Sequence, residues 1–207
     1  TGVQTCALPI SLVDFLRTPI EPREGGMVAQ VVASGPNSHN HAATQLIQAC
    51  IHEADHELVL TTPYFVPDNA TIVNLATAAR RGIDVTVVLP RRNDSRLVAL
   101  ASRSNYGPLL DAGVRLLEFE GGLLHAKTIT VDRHIALVTS CNLDRRSFNL
   151  NFEAGVLVYD SDFASNLRFL QQSYCDRSVR LSAAEWEARP RRRVLAENAA
   201  GLLSPIL

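Results

Sequence analysis

Residues 125–142 read HAKTITVDRHIALVTSCN. Two short runs rich in β-branched residues, 125–131 and 135–140, flank Asp132–His134, which predicts two strands joined by a tight turn. Side chains at i and i+2 of a strand share a face, so His125 and Lys127 project together. Ser140 and Asn142 follow the second strand and reach the same end of the hairpin. An imidazole, an ammonium, a hydroxyl and an amide in one place suit a phosphate. The lysine supplies a point charge, Ser140 and Asn142 donate hydrogen bonds, and the histidine can attack phosphorus or move a proton. Glu153, at the start of the next strand, is positioned to hold the imidazole in one tautomer and favour its charged form. Asp132, at the turn, is expected to brace the hairpin or neighbouring cations rather than touch substrate. The chain carries one such set: His39, His41, His52, His56 and His134 all lack a lysine two residues on.

Around this hairpin the chain alternates. MVAQVVAS (27–34) reads as a buried strand, 41–56 as a helix, and ELVLTTPYF (57–65) as a strand ending at Pro63. Asp68 is a good N-cap for a helix running to about Arg81, with Gly82 as its stop. Residues 83–90 and 114–120 read as strands, with one helix or two short ones between them. Residues 153–160 give a further strand and 162–177 an amphipathic helix. This pattern predicts an α/β (mixed α+β) fold in which helices flank a central mixed β-sheet.

Composition narrows the function classes. The chain has 207 residues, 46% of them hydrophobic, and a net charge of −1. That is enough for one domain with a real core, and no basic field or stripe recruits nucleic acid. Arg189 and Arg191–Arg193 form the one local basic cluster. Four cysteines at wide spacing, with no CxxC pair, argue against a zinc knuckle or disulfide framework and fit a reducing compartment. No apolar run reaches the roughly 18 residues that a spanning helix needs. The first ten residues, TGVQTCALPI, resemble a translated sequencing-adapter oligonucleotide and are set apart as an artefact; 11–26 read as linker or partial structure.

HEADH (52–56) matches HExxH, a pattern able to bring two zinc ligands and a base to one helix face. Ala43, Leu46, Ile47, Cys50, Ile51 and Ala54 form the apolar arc of that helix, so His52 and His56 point away from any pocket. No metal site is expected.

The spacing of His125, Lys127, Asp132, Ser140 and Asn142 resembles the HKD motif of the phospholipase D superfamily. Further segments, in order, resemble the C-terminal half of bacterial cardiolipin synthases: VVASGP (31–36), TTPYFVPD (61–68), RRGIDVTVVLP (80–90), NDSRLV (93–98), GGLLHAKTITVD (121–132), NLDRRSFNLNFE (142–153) and LLSP (202–205). The resemblance implies that His125, Lys127 and Asp132 form the second of two HKD motifs. It assigns Ser140 and Asn142 to the phosphate and Glu153 to orienting the histidine. The family pattern has Gly where this chain has Thr139, and a β-branched residue there is expected to tighten the loop.

The resemblance also implies a mechanism without metal or cofactor. One histidine attacks phosphorus to give a phosphohistidine; the other, here His125, protonates the leaving alcohol and deprotonates the incoming one. The reaction implied is phosphatidyl transfer between two phosphatidylglycerol molecules, giving cardiolipin and glycerol at the bacterial inner membrane. The partners implied are phosphatidylglycerol and cardiolipin, an anionic membrane surface, and an N-terminal HKD lobe of the same protein. That lobe and the membrane helices are expected upstream, so the 207-residue chain is expected to be inactive alone. Residues 27–180 would form the catalytic lobe. Residues 181–207 would form an amphipathic helical tail, with Leu195, Ala199, Leu202 and Ile206 at helical spacing, lying on anionic lipid or packed on the domain. Alternative readings are another phosphodiesterase of the superfamily, either phospholipase or nuclease, and a non-catalytic lobe that only binds anionic lipid.

Overall fold

A computed structural model describes residues 25–36 and 41–203. The expectations for residues 1–10 and 11–24, for His39 and for Ile206 lie outside the described residues.

Ten strands and eight helices follow one another in the described chain. They run β1 (Val28–Ser34), α1 (Ala42–Glu53), β2 (Glu57–Thr61), β3 (Phe65–Val66), α2 (Asn69–Arg80), β4 (Asp84–Pro90), α3 (Arg96–Ser104), α4 (Tyr106–Asp111) and β5 (Arg115–Phe119). Then come β6 (Thr128–Val131), β7 (Ile135–Thr139), β8 (Leu143–Asp144), α5 (Arg145–Asn149), β9 (Glu153–Tyr159), α6 (Ser161–Cys175), β10 (Ser178–Arg180), α7 (Ala183–Glu187) and α8 (Arg191–Gly201). Eight strands form one mixed sheet in the order β1-β9-β7-β6-β2-β4-β5-β10. β2, β4 and β5 are parallel neighbours and the other pairs are antiparallel. β3 and β8 form a separate two-stranded parallel pair beside the site.

The predicted punctuation is visible. The Asp68 carboxylate accepts from the Thr71 amide at 2.8 Å to cap α2, and Gly82 adopts φ +97° just past its end, where a Cβ would be strained. The hairpin turn has φ +48° at Asp132 and +58° at Arg133, and the His134 amide donates to the Val131 carbonyl at 2.9 Å, which is type I′ geometry. α1 ends at Glu53, so His56 lies outside the helix that carries His52. The HEADH pattern therefore does not sit on one helix.

The central strands bury both faces. On the first face Leu58, Leu60, Val85, Val87, Leu116, Ile129 and Leu137 pack under α1, α2, α4 and α7. On the second face α6 is the only helix packed among the described residues: Ala164, Phe163 and Leu167 cover Ala136 and Val158, and Tyr174 covers Phe119. Gln171 of α6, fully buried, bonds to Thr128, Thr130 and the Val59 carbonyl at 2.6–3.2 Å, fixing the helix beneath β6.

This arrangement corrects the reading of 27–34 as a buried strand. β1 is an edge strand, and Val31 is 75% exposed. Val31, Val156 and Val138 are direct cross-strand partners on the second face, and α6 leaves all three open. A β-branched apolar run signals a strand meant to be covered; it does not say that the cover lies in the same stretch of chain.

The C-terminal helix packs on the domain through charge. α8 lies on α3, with Ala200 against Ala101 and Val66. Glu197, 1% exposed, pairs with Arg103, Arg189 and Arg193 at 3.4, 2.9 and 3.2 Å. The Arg189 guanidinium also lies over the Trp186 ring. Leu195 and Leu202, expected either on lipid or against the domain, face outward.

Candidate active site

The site forms at the end of the sheet where the chain enters β6 and leaves β7. Gly122, at φ +107°, turns the chain after β5. Leu124 is then buried against Val88 and Phe119, which pins the segment and leaves His125 exposed. His125 and Lys127 precede the first ladder residue of β6, in an extended run rather than within the strand. The Lys127 ammonium donates to the His125 carbonyl at 3.0 Å, and the Lys127 carbonyl accepts from the Thr139 amide at 3.1 Å. The first bond folds the Lys127 side chain back on its own run, and the second ties the run to β7.

The loop after β7 brings the other groups in. Thr139 donates through Oγ1 to the Ala154 carbonyl at 3.1 Å and accepts from the Cys141 amide at 3.0 Å. The backbone at 139 has no positive φ, so a threonine fits where the family pattern has Gly. Ser140 donates to the Glu153 carboxylate and accepts from the Ala154 amide at 3.0 Å. Glu153 is buried and also accepts from Asn151 at 3.1 Å. Its hydrogen bonds thus go to Ser140 and Asn151 rather than to His125. Asn142 donates to Ser147 at 3.2 Å, while its Oδ1 is buried with no hydrogen-bond partner. Asp144 caps α5 by accepting from the Ser147 amide at 2.6 Å.

Electrostatics follow from burial. Partial burial pulls the Lys127 ammonium below the usual lysine range, while the carboxylates of Glu153 and Asp144 oppose that shift. Burial raises Asp144 above the ordinary aspartate range, its hydrogen bonds to Ser147 notwithstanding. The Cys141 thiol is pushed far up by burial beside the same two carboxylates, and burial lifts Cys50 to about 12. Neither thiol is a ready nucleophile.

Five of the six expected residues, His125, Lys127, Ser140, Asn142 and Glu153, converge. Asp132 does not: it lies at the far end of β6, five residues or about 16 Å along the strand from Lys127. There its carboxylate accepts from the amides of Asp55, His56 and Glu57 at 2.6–2.9 Å. Sequence reasoning missed Tyr64, whose ring stands edge-on to His125 with centroids 6.3 Å apart and whose hydroxyl donates to Asp94 at 2.8 Å. TTPYFVPD and NDSRLV contain the two residues, but nothing in linear spacing joins positions 30 apart. Among the described residues no group of three or more His, Cys, Asp or Glu side chains is arranged to hold a metal ion.

An exposed imidazole, a half-buried ammonium and inward hydroxyl and amide groups can hold a phosphodiester and move a proton at its ester oxygen. Residues 47–171 match the family model described as cardiolipin synthase, PLD-like domain. Cardiolipin synthase A of Serratia proteamaculans (strain 568) is 43% identical over 185 residues, which is 89% of this chain and 38% of that protein. Cardiolipin synthase A of Proteus mirabilis (strain HI4320) is 44% identical over 182 residues, 88% of this chain and 37% of that protein. The chain thus spans well under half the length of these relatives. Two crystal structures share the fold. Nuc, a phospholipase D family member from Salmonella typhimurium, has a TM-score of 0.65 at 20% identity, covering 75% of this chain and 99% of Nuc. Phosphatidylserine synthase from Haemophilus influenzae Rd KW20 has a TM-score of 0.69 at 19% identity, covering 86% of this chain and 47% of the synthase.

Proposed function

The chain belongs to the cardiolipin synthase family of phospholipase D-like domains, and from that premise we propose that it is the second catalytic lobe of a phosphatidyltransferase. The convergence of His125, Lys127, Ser140 and Asn142 on one sheet end, with one histidine among them, is the observation that carries this reading. Half of a two-histidine reaction is present. A histidine on a second lobe attacks phosphorus of phosphatidylglycerol, forming an N–P bond as the bond to the glycerol oxygen breaks. His125 gives its proton to that oxygen, and glycerol leaves. A second phosphatidylglycerol enters and His125 takes its hydroxyl proton. The alkoxide oxygen bonds to phosphorus, the N–P bond breaks, and cardiolipin is released. Lys127 and Asn142 balance the charge that builds on the non-bridging oxygens. Asp132 is a positioning residue, acting through the β6–β7 turn.

The open half-face of Val31, Val138 and Val156 beside the site suits the second lobe. The outward face of α8, with Leu195 and Leu202 next to Arg191 and Arg192, suits an anionic membrane surface. No helix among the described residues is long and apolar enough to cross a membrane. Attachment at the bacterial inner membrane would therefore rest on this face and on chain outside the described residues. With a net charge of −1, nucleic acid is not the partner proposed.

The test is cardiolipin formation from phosphatidylglycerol vesicles, read by mass spectrometry. A two-lobed protein ending in this chain should make cardiolipin, and His125→Ala should abolish it. The 207-residue chain alone should make none. Unchanged transfer by the alanine variant overturns the proposal.

A further inference from the structure

Of the five residues that converge at the site, Asn142 carries the neutral donor for an anion. Ser140 gives its one proton to Glu153. The two ends of the Asn142 amide lie in different surroundings. Its Oδ1 is buried with no hydrogen-bond partner among the described residues, so the nitrogen is the end that can serve a ligand. Nδ2 carries two protons and donates to the Ser147 hydroxyl at 3.2 Å.

Ser147 does not by itself decide which end of that amide faces it, because a hydroxyl both donates and accepts. Asp144 decides it. The Asp144 carboxylate accepts from the Ser147 amide at 2.6 Å and takes side-chain hydrogen bonds from Ser147 and, less strongly, from Asn142. An ionised carboxylate only accepts, so Ser147 directs its proton to Asp144 and turns its lone pairs to Asn142. The group that meets those lone pairs must be the amide nitrogen. Asp144 is 6% exposed and Ser147 1%, so solvent does not compete for the Ser147 proton. The chain of donors thus has one sense, from Asn142 to Ser147 to Asp144.

We propose that Asp144, beyond capping α5, is a positioning residue for phosphodiester binding: acting through Ser147, it holds the Asn142 nitrogen toward the ligand, and the second Asn142 proton goes to a non-bridging phosphate oxygen. The inference rests on the phosphodiester reading of the site and adds a residue which that reading does not use.

Glycerophosphoglycerol, a soluble phosphodiester, titrated into the 207-residue chain and followed by NMR shifts of backbone and side-chain amides, tests it. Asp144→Asn keeps the helix cap, since Asn caps as well as Asp. Its new amide can donate to Ser147, which frees the Ser147 proton to meet either end of Asn142. Asp144→Asn should weaken binding about tenfold, the scale of one hydrogen bond to a charged group, and Ser147→Ala and Asn142→Ala should each do the same. In the Asn142→Ala background neither of the other two changes should weaken binding further. The Asn142 side-chain amide protons should shift on titration in the unaltered chain and not in Asp144→Asn, a signature that a purely structural loss does not produce. A charge effect alone has the opposite sign: removing a carboxylate beside a phosphate tightens binding, and Ser147→Ala leaves it unchanged. Tighter or unchanged binding by Asp144→Asn overturns the positioning role and leaves the phosphodiester site standing. Losses that add to that of Asn142→Ala overturn it in the same way. No binding by the unaltered chain overturns the phosphodiester reading and this inference together.

Discussion

Asp132 is joined to Glu57 in both directions: its carboxylate accepts from the Glu57 amide at 2.6 Å, and its own amide donates to the Glu57 carbonyl at 2.9 Å. The same carboxylate takes the amides of Asp55 and His56, so one side chain closes the α1–β2 connection against the hairpin turn. These three donors hold its carboxyl below the usual aspartate range despite partial burial. A depressed carboxylate stabilises the folded state above the unfolded value, near pH 4, and the contribution is lost as pH falls through the lower folded value. Asp132→Ala should cost ~1–2 kcal/mol once solvent screening is allowed for, lowering the melting temperature by about 3–6 °C. Thermal melts from pH 7 to pH 3 should show the gap closing below about pH 4. A gap independent of pH would reject the charge-assisted role.

Lys127 binds phosphate as an ammonium, and burial already pulls it toward the neutral form. Affinity for a phosphodiester should therefore be full at neutral pH and fall as pH rises, with the fall beginning below the ordinary lysine value. Glu153 opposes that shift. Glu153→Gln should move the alkaline fall to lower pH while the acid side stays flat, an effect that a purely structural role for Glu153 would not produce. Lys127→Met should weaken binding about 10–100-fold and remove the alkaline limb. Titrations of glycerophosphoglycerol between pH 7 and pH 10 give all three readouts.

Much of this was legible in the chain, for reasons specific to certain residues. Asp68, Gly82 and the Asp132–Arg133 turn are local signals, decided by hydrogen bonds or φ angles within four residues. The alternation of Leu58 and Leu60 with Val59 and Thr61 marks a strand covered on both faces. His125 and Lys127 were found because two residues of extended chain return a side chain to the same face. What escaped depended on contacts distant in sequence. Asp132 is expected at the turn, bracing the hairpin; what spacing does not name is its partners, the amides of Asp55, His56 and Glu57, which lie 75 to 77 residues away in sequence. Tyr64 meets Asp94 only after β2 and β4 align. The exposure of β1 depends on what covers the sheet, which no periodicity within the strand records.

The tail has two readings in the sequence, lying on lipid or packing on the domain. Its helical spacing of leucines does not decide between them, and the contact with α3 is made by Glu197 and Ala200. Glu197 is almost fully buried among Arg103, Arg189 and Arg193. Removing one partner of a buried ion cluster leaves charges without compensation, which typically costs about 3–5 kcal/mol. Glu197→Ala should lose ~3 kcal/mol in urea denaturation and expose Arg191–Arg193 to trypsin. Arg193→Ala, whose partner keeps two other arginines and whose own side chain is half exposed, should lose less than about 1 kcal/mol. Similar losses from the two variants would show that the cluster does not hold the helix.

Thr139 closes the turn that presents Ser140 and Asn142, donating to Ala154 and accepting from Cys141. Replacing it by the glycine of the family pattern removes both side-chain bonds and adds backbone freedom to the unfolded chain. Each hydrogen bond contributes about 1 kcal/mol and the glycine about 0.5–1 kcal/mol. Gly155 lies opposite, where even a Cβ would come within 3.3 Å of the Thr139 hydroxyl, so the side chain is packed as well as bonded. Thr139→Gly should therefore destabilise the lobe by ~2 kcal/mol in urea denaturation. Thr139→Ser, which keeps the hydroxyl, should recover most of that loss, and Thr139→Val, which keeps the shape, should not. If valine rescues and serine does not, packing rather than hydrogen bonding holds the loop.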